Sequence, residues 1–180
     1  MESRKIEARF GWDVYPRQYS SGLIGGLLSG STAVDCDARA IFCDRHGKPL
    51  AQHISYSTPS LFDGAAIHSG DNQVGDKEDD ETITLDLPNI PEAVSSIILT
   101  LDLFKEKKPI KKGGFQSVFL RITDSMTKEE VVRCDTNSLN TNNKLVVLGI
   151  ISRNDSGWDF SLTEKPCQVK DIDAFLRSLG

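Results

Sequence analysis

Short apolar runs, some strictly alternating with polar residues and some dense, recur along the chain and predict strands. Residues 40–43, 52–56 and 82–87 alternate or nearly alternate in polarity, as half-buried strands do. Residues 96–104 and 144–152 are denser, as expected of strands covered on both faces. Residues 117–123, 130–134 and 158–162 complete the set. Turn signals separate these runs: Arg45-His-Gly-Lys48, Asp63-Gly64, Asp124-Ser-Met-Thr127, the asparagine-rich stretch 137–143 and Asn154-Asp-Ser-Gly157. Many short strands at this spacing predict a mainly all-β fold, an antiparallel β-sandwich. Helix is scarce. Residues 88–94 fit one short turn with Asn89 placed to cap it. At the C-terminus Ile172, Phe175, Leu176 and Leu179 fall at i, i+3, i+4 and i+7, which predicts a short helix docking one apolar stripe on the sandwich.

Length then limits the architecture. One hundred and eighty residues suit a single domain, 1–180, with its own core. Gly22-Leu-Ile-Gly-Gly-Leu-Leu-Ser-Gly30 reads as a flexible insertion spanning 18–33. With 38% hydrophobic and 26% charged residues, the composition excludes disordered, collagen-like and coiled-coil chains. No apolar run approaches the roughly 18 residues of a membrane span. The start of the chain, Met1-Glu-Ser-Arg-Lys5, has no apolar signal core, and Cys36, Cys43, Cys134 and Cys167 form no C-x-x-C pair. The expected setting is cytoplasmic, with reduced thiols.

Charge changes the picture more than composition does. Residues 71–81 hold six acids and one lysine, which matches the whole net charge of −5. Residues 105–112 hold five lysines and one glutamate. No aromatics interleave with those lysines, so nucleic-acid stacking has no support. The lysines suit a solvated loop, a phosphate or acidic surface, or the acidic segment of a second copy, which would make a homo-oligomer.

Six carboxylates in eleven residues repel one another unless something positive compensates. The segment offers only oxygen donors: Asp71, Asn72, Gln73, Asp76, Glu78, Asp79, Asp80, Glu81 and the carbonyls of a turn at Gly75. With neither His nor Cys present, a hard cation fits, calcium first and magnesium or manganese behind it. The spacing is not that of an EF-hand, because Asp76 stands where that loop needs glycine. A solvated acidic hairpin is the plain alternative. Asp35-Cys-Asp37 adds a second oxygen-rich ledge, with Asp35 and Asp37 on one side of the strand and Cys36 on the other.

Taken in order, Phe10-Gly-Trp-Asp13, Val34-Asp-Cys-Asp-Ala-Arg-Ala-Ile-Phe42, Ile67-His-Ser-Gly-Asp-Asn72 and Asp79-Asp-Glu81 resemble the TerD family, the tellurite-resistance and general stress proteins of bacteria. In that family Gly-Trp-Asp is followed by an Asp-Leu-Asp-Ala-Ser-Ala-Phe-like strand, then His-Thr-Gly-Asp-Asn and a glycine- and acid-rich loop ending in Asp-Asp-Glu. Gly113-Gly-Phe-Gln116, Glu129-Glu-Val-Val-Arg133 and Gly157-Trp-Asp-Phe160 extend the resemblance from about Phe10 to Gly180. It implies a β-sandwich that binds one or two calcium ions through Asp35, Asp37, Asp71, Asn72, Asp76, Glu78, Asp79, Asp80 and Glu81. It further implies a non-enzymatic stress-response role, with TerC-like membrane proteins or other TerD-like proteins as partners. The chain departs from the family in three places. Only nine residues precede Phe10, where the family has an additional strand pair, so a sheet edge that is exposed or covered by a partner is expected. The insertion at residues 22–30 is the second departure. The third is the loop 75–81, which is short of glycines and carries Lys77 among its acids, so a weaker site is expected.

Two other readings compete. A calcium-dependent module binding anionic lipid would need apolar tips beside the ion, for which Leu27-Leu28 is the candidate. A metal-dependent hydrolase would find ligands enough, but no nucleophile or base stands out. His68, close to Ser69 and Asp71, reads as a loop anchor rather than part of a triad.

Overall fold

A computed structural model describes residues 4–14, 35–72, 79–103, 115–136, 144–167 and 171–180. The insertion 18–33, the lysine stretch 105–112 and the turn 137–143 lie outside the described residues.

Two antiparallel sheets face each other. In chain order the strands are β1 (Lys5–Val14), β2 (Cys36–Cys43), β3 (Pro49–Ile54), β4 (Ser60–Leu61), β5 (Ala66–His68), β6 (Glu81–Asp86), β7 (Ser96–Leu103), β8 (Phe115–Asp124), β9 (Glu130–Thr136), β10 (Leu145–Asn154) and β11 (Gly157–Cys167), followed by helix α1 (Ile172–Leu179). One sheet runs β4-β5-β6-β1-β8-β9 and the other β11-β10-β7-β2-β3. The antiparallel sandwich with a short C-terminal helix is the fold the hydrophobic pattern predicts.

Alternation explains the inner layer. Ile6, Ala8, Phe10 and Trp12 of β1 point inward and are buried, as are Ile83 and Leu85 of β6 and Leu120 and Ile122 of β8. They meet Ala38, Ala40 and Phe42 of β2 and Leu99 and Leu101 of β7 in one continuous core that also buries Trp158. Each large apolar side chain buried there contributes roughly 1.5–3 kcal/mol. The dense strands have a second buried face, because α1 lies outside the five-stranded sheet. Ile41, Cys43, Ile98, Leu145 and Val147 pack there against Phe175, with Ile172, Leu176 and Leu179 alongside. Asp171 caps that helix by accepting from the Ala174 N–H at 2.9 Å.

Two expectations are corrected. β1 is no exposed edge: it is hydrogen-bonded to β6 on one side and β8 on the other, in the middle of its sheet. Residues 5–9 are therefore part of a central strand, and the sheet ends instead at β4 and β9. The turn near residue 88 is a short 3-10 helix, Leu87–Asn89, of which Asn89 is the last residue rather than the cap. Among the described residues, no helix is long and apolar enough to cross a membrane.

Candidate metal centre

Three segments converge at one end of the sandwich. Asp35 precedes β2 and Asp37 is its second residue, Asp71 follows β5, and Asp80 leads into β6, which Glu81 opens. Each segment has a local reason for its course. β5 ends at His68, and Gly70 turns the chain with φ of 107°, a region that residues with a Cβ rarely occupy. The Gly70 N–H donates to His68 Nδ1 at 3.1 Å, so the histidine anchors this loop as expected. Ser69 ties the turn to β6, donating its N–H to the Thr82 carbonyl at 2.8 Å and accepting the Thr82 N–H on its Oγ at 2.9 Å. Asp71 and Asn72 are thereby delivered to the pocket.

Carboxylate oxygens of Asp35, Asp37 and Asp71 lie within 4.8 Å of one another. Asp37 is buried, Asp35 partly buried and Asp71 exposed, so the group runs from the interior to solvent. At such spacing a pair of unit charges repels by about 4 kcal/mol in surroundings of intermediate polarity. Burial is the largest influence on Asp37. Arg39 opposes it, while Asp102, Glu81 and Asp35 reinforce it, and the carboxyl is raised from 3.8 to about 7.

Asn72, Asp80 and Glu81 are buried beside this group as braces. Asp80 accepts from the Trp12 N–H on one oxygen and from Asn72 Nδ2 on the other, both at 2.8 Å, while its own N–H donates to the Phe10 carbonyl. Glu81 accepts from the Ala38 N–H at 2.8 Å and the Asn72 N–H at 3.2 Å. It thus joins β2 in one sheet to the loop after β5 in the other, fixing the backbone next to Asp37 and Asp71. His68 Nε2 lies 3.3 Å from Glu81 Oε2 without forming a hydrogen bond. Supporting contacts of this kind orient the groups beside them.

Asp79 is placed elsewhere. Its carboxylate is gripped by both nitrogens of the Arg121 fork and by Arg9 Nη1 at 2.8 Å, on the outer face of the six-stranded sheet. Burial works against its charge, but the two guanidiniums prevail and hold it below the ordinary carboxylate value. Asp76 and Glu78, with Lys77 and Gly75, lie outside the described residues. Of the nine acids and amides expected at the site, three carboxylates converge, three residues brace them and one neutralises an arginine pair.

The motif reading passed over Arg39 and Asp102. Both are buried, and Asp102 stands directly across from Asp37 in the β2–β7 pairing. One signal was available: Arg39 occupies the place where the family-like strand motif has a serine. Cys36, between the two ledge aspartates, is no thiolate. Burial, then the charges of Asp102, Asp35, Glu81 and Asp37, push its thiol well above the ordinary range.

Fold and site together define a class: an all-β sandwich whose two sheets are joined at one end by braced carboxylates. A TerD domain model matches residues 1–177, and the chain belongs to the TerD family. Among its relatives is the tellurium resistance protein TerZ of Serratia marcescens, 29% identical over 164 residues that cover 91% of this chain and 80% of the relative. General stress protein 16U of Bacillus subtilis is 26% identical over 87% of this chain and 78% of its own length. Two solved structures share the fold. A protein of unknown function, SAV2460, aligns at a TM-score of 0.72 with 20% identity over 96% of this chain and 95% of its own. A telluride resistance (TerD) homologue from Streptomyces coelicolor, SCO6318, aligns at 0.70 with 15% identity over 94% and 93%.

Proposed function

We propose that this TerD-family protein binds a divalent cation, calcium by preference, through Asp35, Asp37 and Asp71, and presents the ordered acidic end of the sandwich to protein partners without catalysing a reaction. The observation that carries this reading is the convergence of three carboxylates from two separate segments, the start of β2 and the loop after β5, within 4.8 Å. The donor set fits a hard cation, being all oxygen, with the buried Cys36 thiol held protonated beside it. A bound ion would add to the positive charge that Arg39 already brings to Asp37. Glu81 and Asp80 hold the two strands at a fixed separation, and Asp71, the exposed member, would tie the acidic loop to β2. The partner-facing role and a bacterial cytoplasmic setting follow the family's stress and resistance character, and TerC-like or TerD-like proteins are the partners to test first.

Thermal unfolding in EDTA and then in millimolar calcium, magnesium or manganese tests the reading. At a hundredfold excess over Kd, mass action adds about 2.7 kcal/mol, or roughly 5–10 °C for a chain of this size. Calcium is expected to give the largest rise in Tm, and Asp35→Ala to abolish most of it. Asp63, exposed in the short 3-10 turn between β4 and β5 and not a member of the carboxylate group, is the control: Asp63→Ala should leave the rise intact. No rise with any of the three cations would reject the reading.

A further inference from the structure

Arg39 is a cation already built into the pocket wall, and its contacts are divided unequally. Alternation along β2 sets its side chain on the same face as Asp37, two residues back. Arg39 Nη2 donates to Asp37 Oδ2 at 2.9 Å. Arg39 Nε donates to Asp102 Oδ1 at 2.7 Å, and Nη2 also reaches Asp102 Oδ2 at 3.5 Å. The three side chains are 8%, 2% and 11% exposed, for Arg39, Asp37 and Asp102, so these are interior ion pairs. Asp37 and Asp102 face each other across the strand pair, where two like charges would be unfavourable without the guanidinium between them.

We infer that Arg39 is an affinity-setting residue, a resident competitor for the cation at Asp37, and that Asp102 is the carboxylate that lets it yield. The inference rests on the cation reading above. Without an ion, Arg39 supplies positive charge to the innermost of three crowded aspartates. With an ion on Asp37, Arg39 gives up one hydrogen bond and keeps its contacts to Asp102, so it never becomes an unpaired buried charge, the costly state for an interior arginine. The pocket therefore binds its ion less tightly than three aspartates alone would, in exchange for an interior that stays paired when the ion leaves.

Calcium chloride titrated calorimetrically into wild type, Asp102→Asn and the double variant Arg39→Ser/Asp102→Asn tests this. Asp102→Asn turns Arg39 fully onto Asp37 and should raise Kd at least fivefold. The double variant leaves the net charge unchanged, removes the competitor and should lower Kd at least fivefold below wild type. A merely structural role for the pair would not move the two variants in opposite directions. If Asp102→Asn does not fold, the double variant decides the matter alone. Equal Kd values for wild type and double variant overturn the inference and leave the cation reading standing. Binding by the double variant where wild type shows none supports it in its strongest form. No binding and no Tm shift in either protein overturns both.

Discussion

Asp79 and Asp37 are both aspartates held by arginine, and they settle at opposite ends of the carboxylate range. Asp79 lies on the outer face of the six-stranded sheet, where β1, β8 and β9 align Arg9, Arg121 and Arg133 side by side. Two of those guanidiniums share its single carboxylate, and its pKa is lowered. Asp37 lies at the end of the five-stranded sheet, where one guanidinium is shared with Asp102 and further carboxylates crowd in, and it is raised to about 7. Burial acts against both charges. What separates them, among the described residues, is that two guanidiniums bond to Asp79, whereas the one that bonds to Asp37 is shared with Asp102. The first arrangement satisfies its carboxylate twice over; the second divides one guanidinium between two carboxylates.

The largest effect that would break this comparison is the pH dependence of the ion-free protein. Asp37 takes up a proton in the folded chain at pH values where the unfolded chain, near 3.8, has lost it. Its contribution to stability is therefore full below about pH 4 and is lost as pH rises through about 7, a fall of about 4 kcal/mol before solvent screening reduces it. Asp102, raised chiefly by burial with Glu81 adding to it against Arg39, pulls the same way. Asp79 and Glu7 oppose this trend only at lower pH, because their depressed pKa values make their contributions complete above about pH 4.5. In EDTA the melting temperature should drop between pH 5 and pH 7.5, and the gain from calcium should grow over the same interval. A flat profile in EDTA would place Asp37 with Asp79 rather than against it.

Removing Asp79 is the next test, smaller and opposite in kind. Asp79→Ala leaves Arg9 and Arg121 adjacent across the β1–β8 pair without their shared carboxylate, although Glu7 still holds Arg9. The cost should be about 1–3 kcal/mol, typical of lost hydrogen bonds to charged groups. It should appear equally in EDTA and in calcium. A loss confined to the calcium arm would return Asp79 to the metal ligands that the motif implied.

The sequence showed the dense strands β7 and β10 and the helix α1, because each carries a long unbroken apolar signal: both faces of a covered strand, or four residues on one helical stripe. It hid β1, although Ile6, Ala8, Phe10 and Trp12 alternate without fault. Ala8 and Gly11 dilute the signal, and Lys5, Glu7 and Arg9 make the stretch read as a polar terminus. The acids of the site were legible as a composition and, through motif resemblance, as a set. Their division of labour was not. Whether an acid is a ligand, a brace or half of an ion pair depends on register: Arg9 opposite Arg121 draws Asp79 outward, while Asp37 opposite Asp102 draws Arg39 in. Neither pairing can be read along the chain, since the partners are 112 and 65 residues apart.

The third arginine of the row gives the smallest and sharpest contrast. Arg133 is paired with Asp135 at 2.9 Å, two residues along the same strand, with both side chains well exposed. An exposed pair of this kind is worth about 0–1 kcal/mol, so Asp135→Asn should shift stability by no more than that. The guanidinium of Arg133 also lies 4.2 Å from the centre of the Phe119 ring and shields an aromatic that faces outward on β8. Arg133→Ala should therefore cost more than Asp135→Asn, by roughly 0.5–1 kcal/mol for the cation–π contact. Denaturant melts of the two variants, each at low and high salt, separate the terms: salt should erase the Asp135 effect and leave most of the Arg133 effect. If the two variants lose stability equally and salt abolishes both, Arg133 acts only as a charge, and the outer row balances by ion pairing alone.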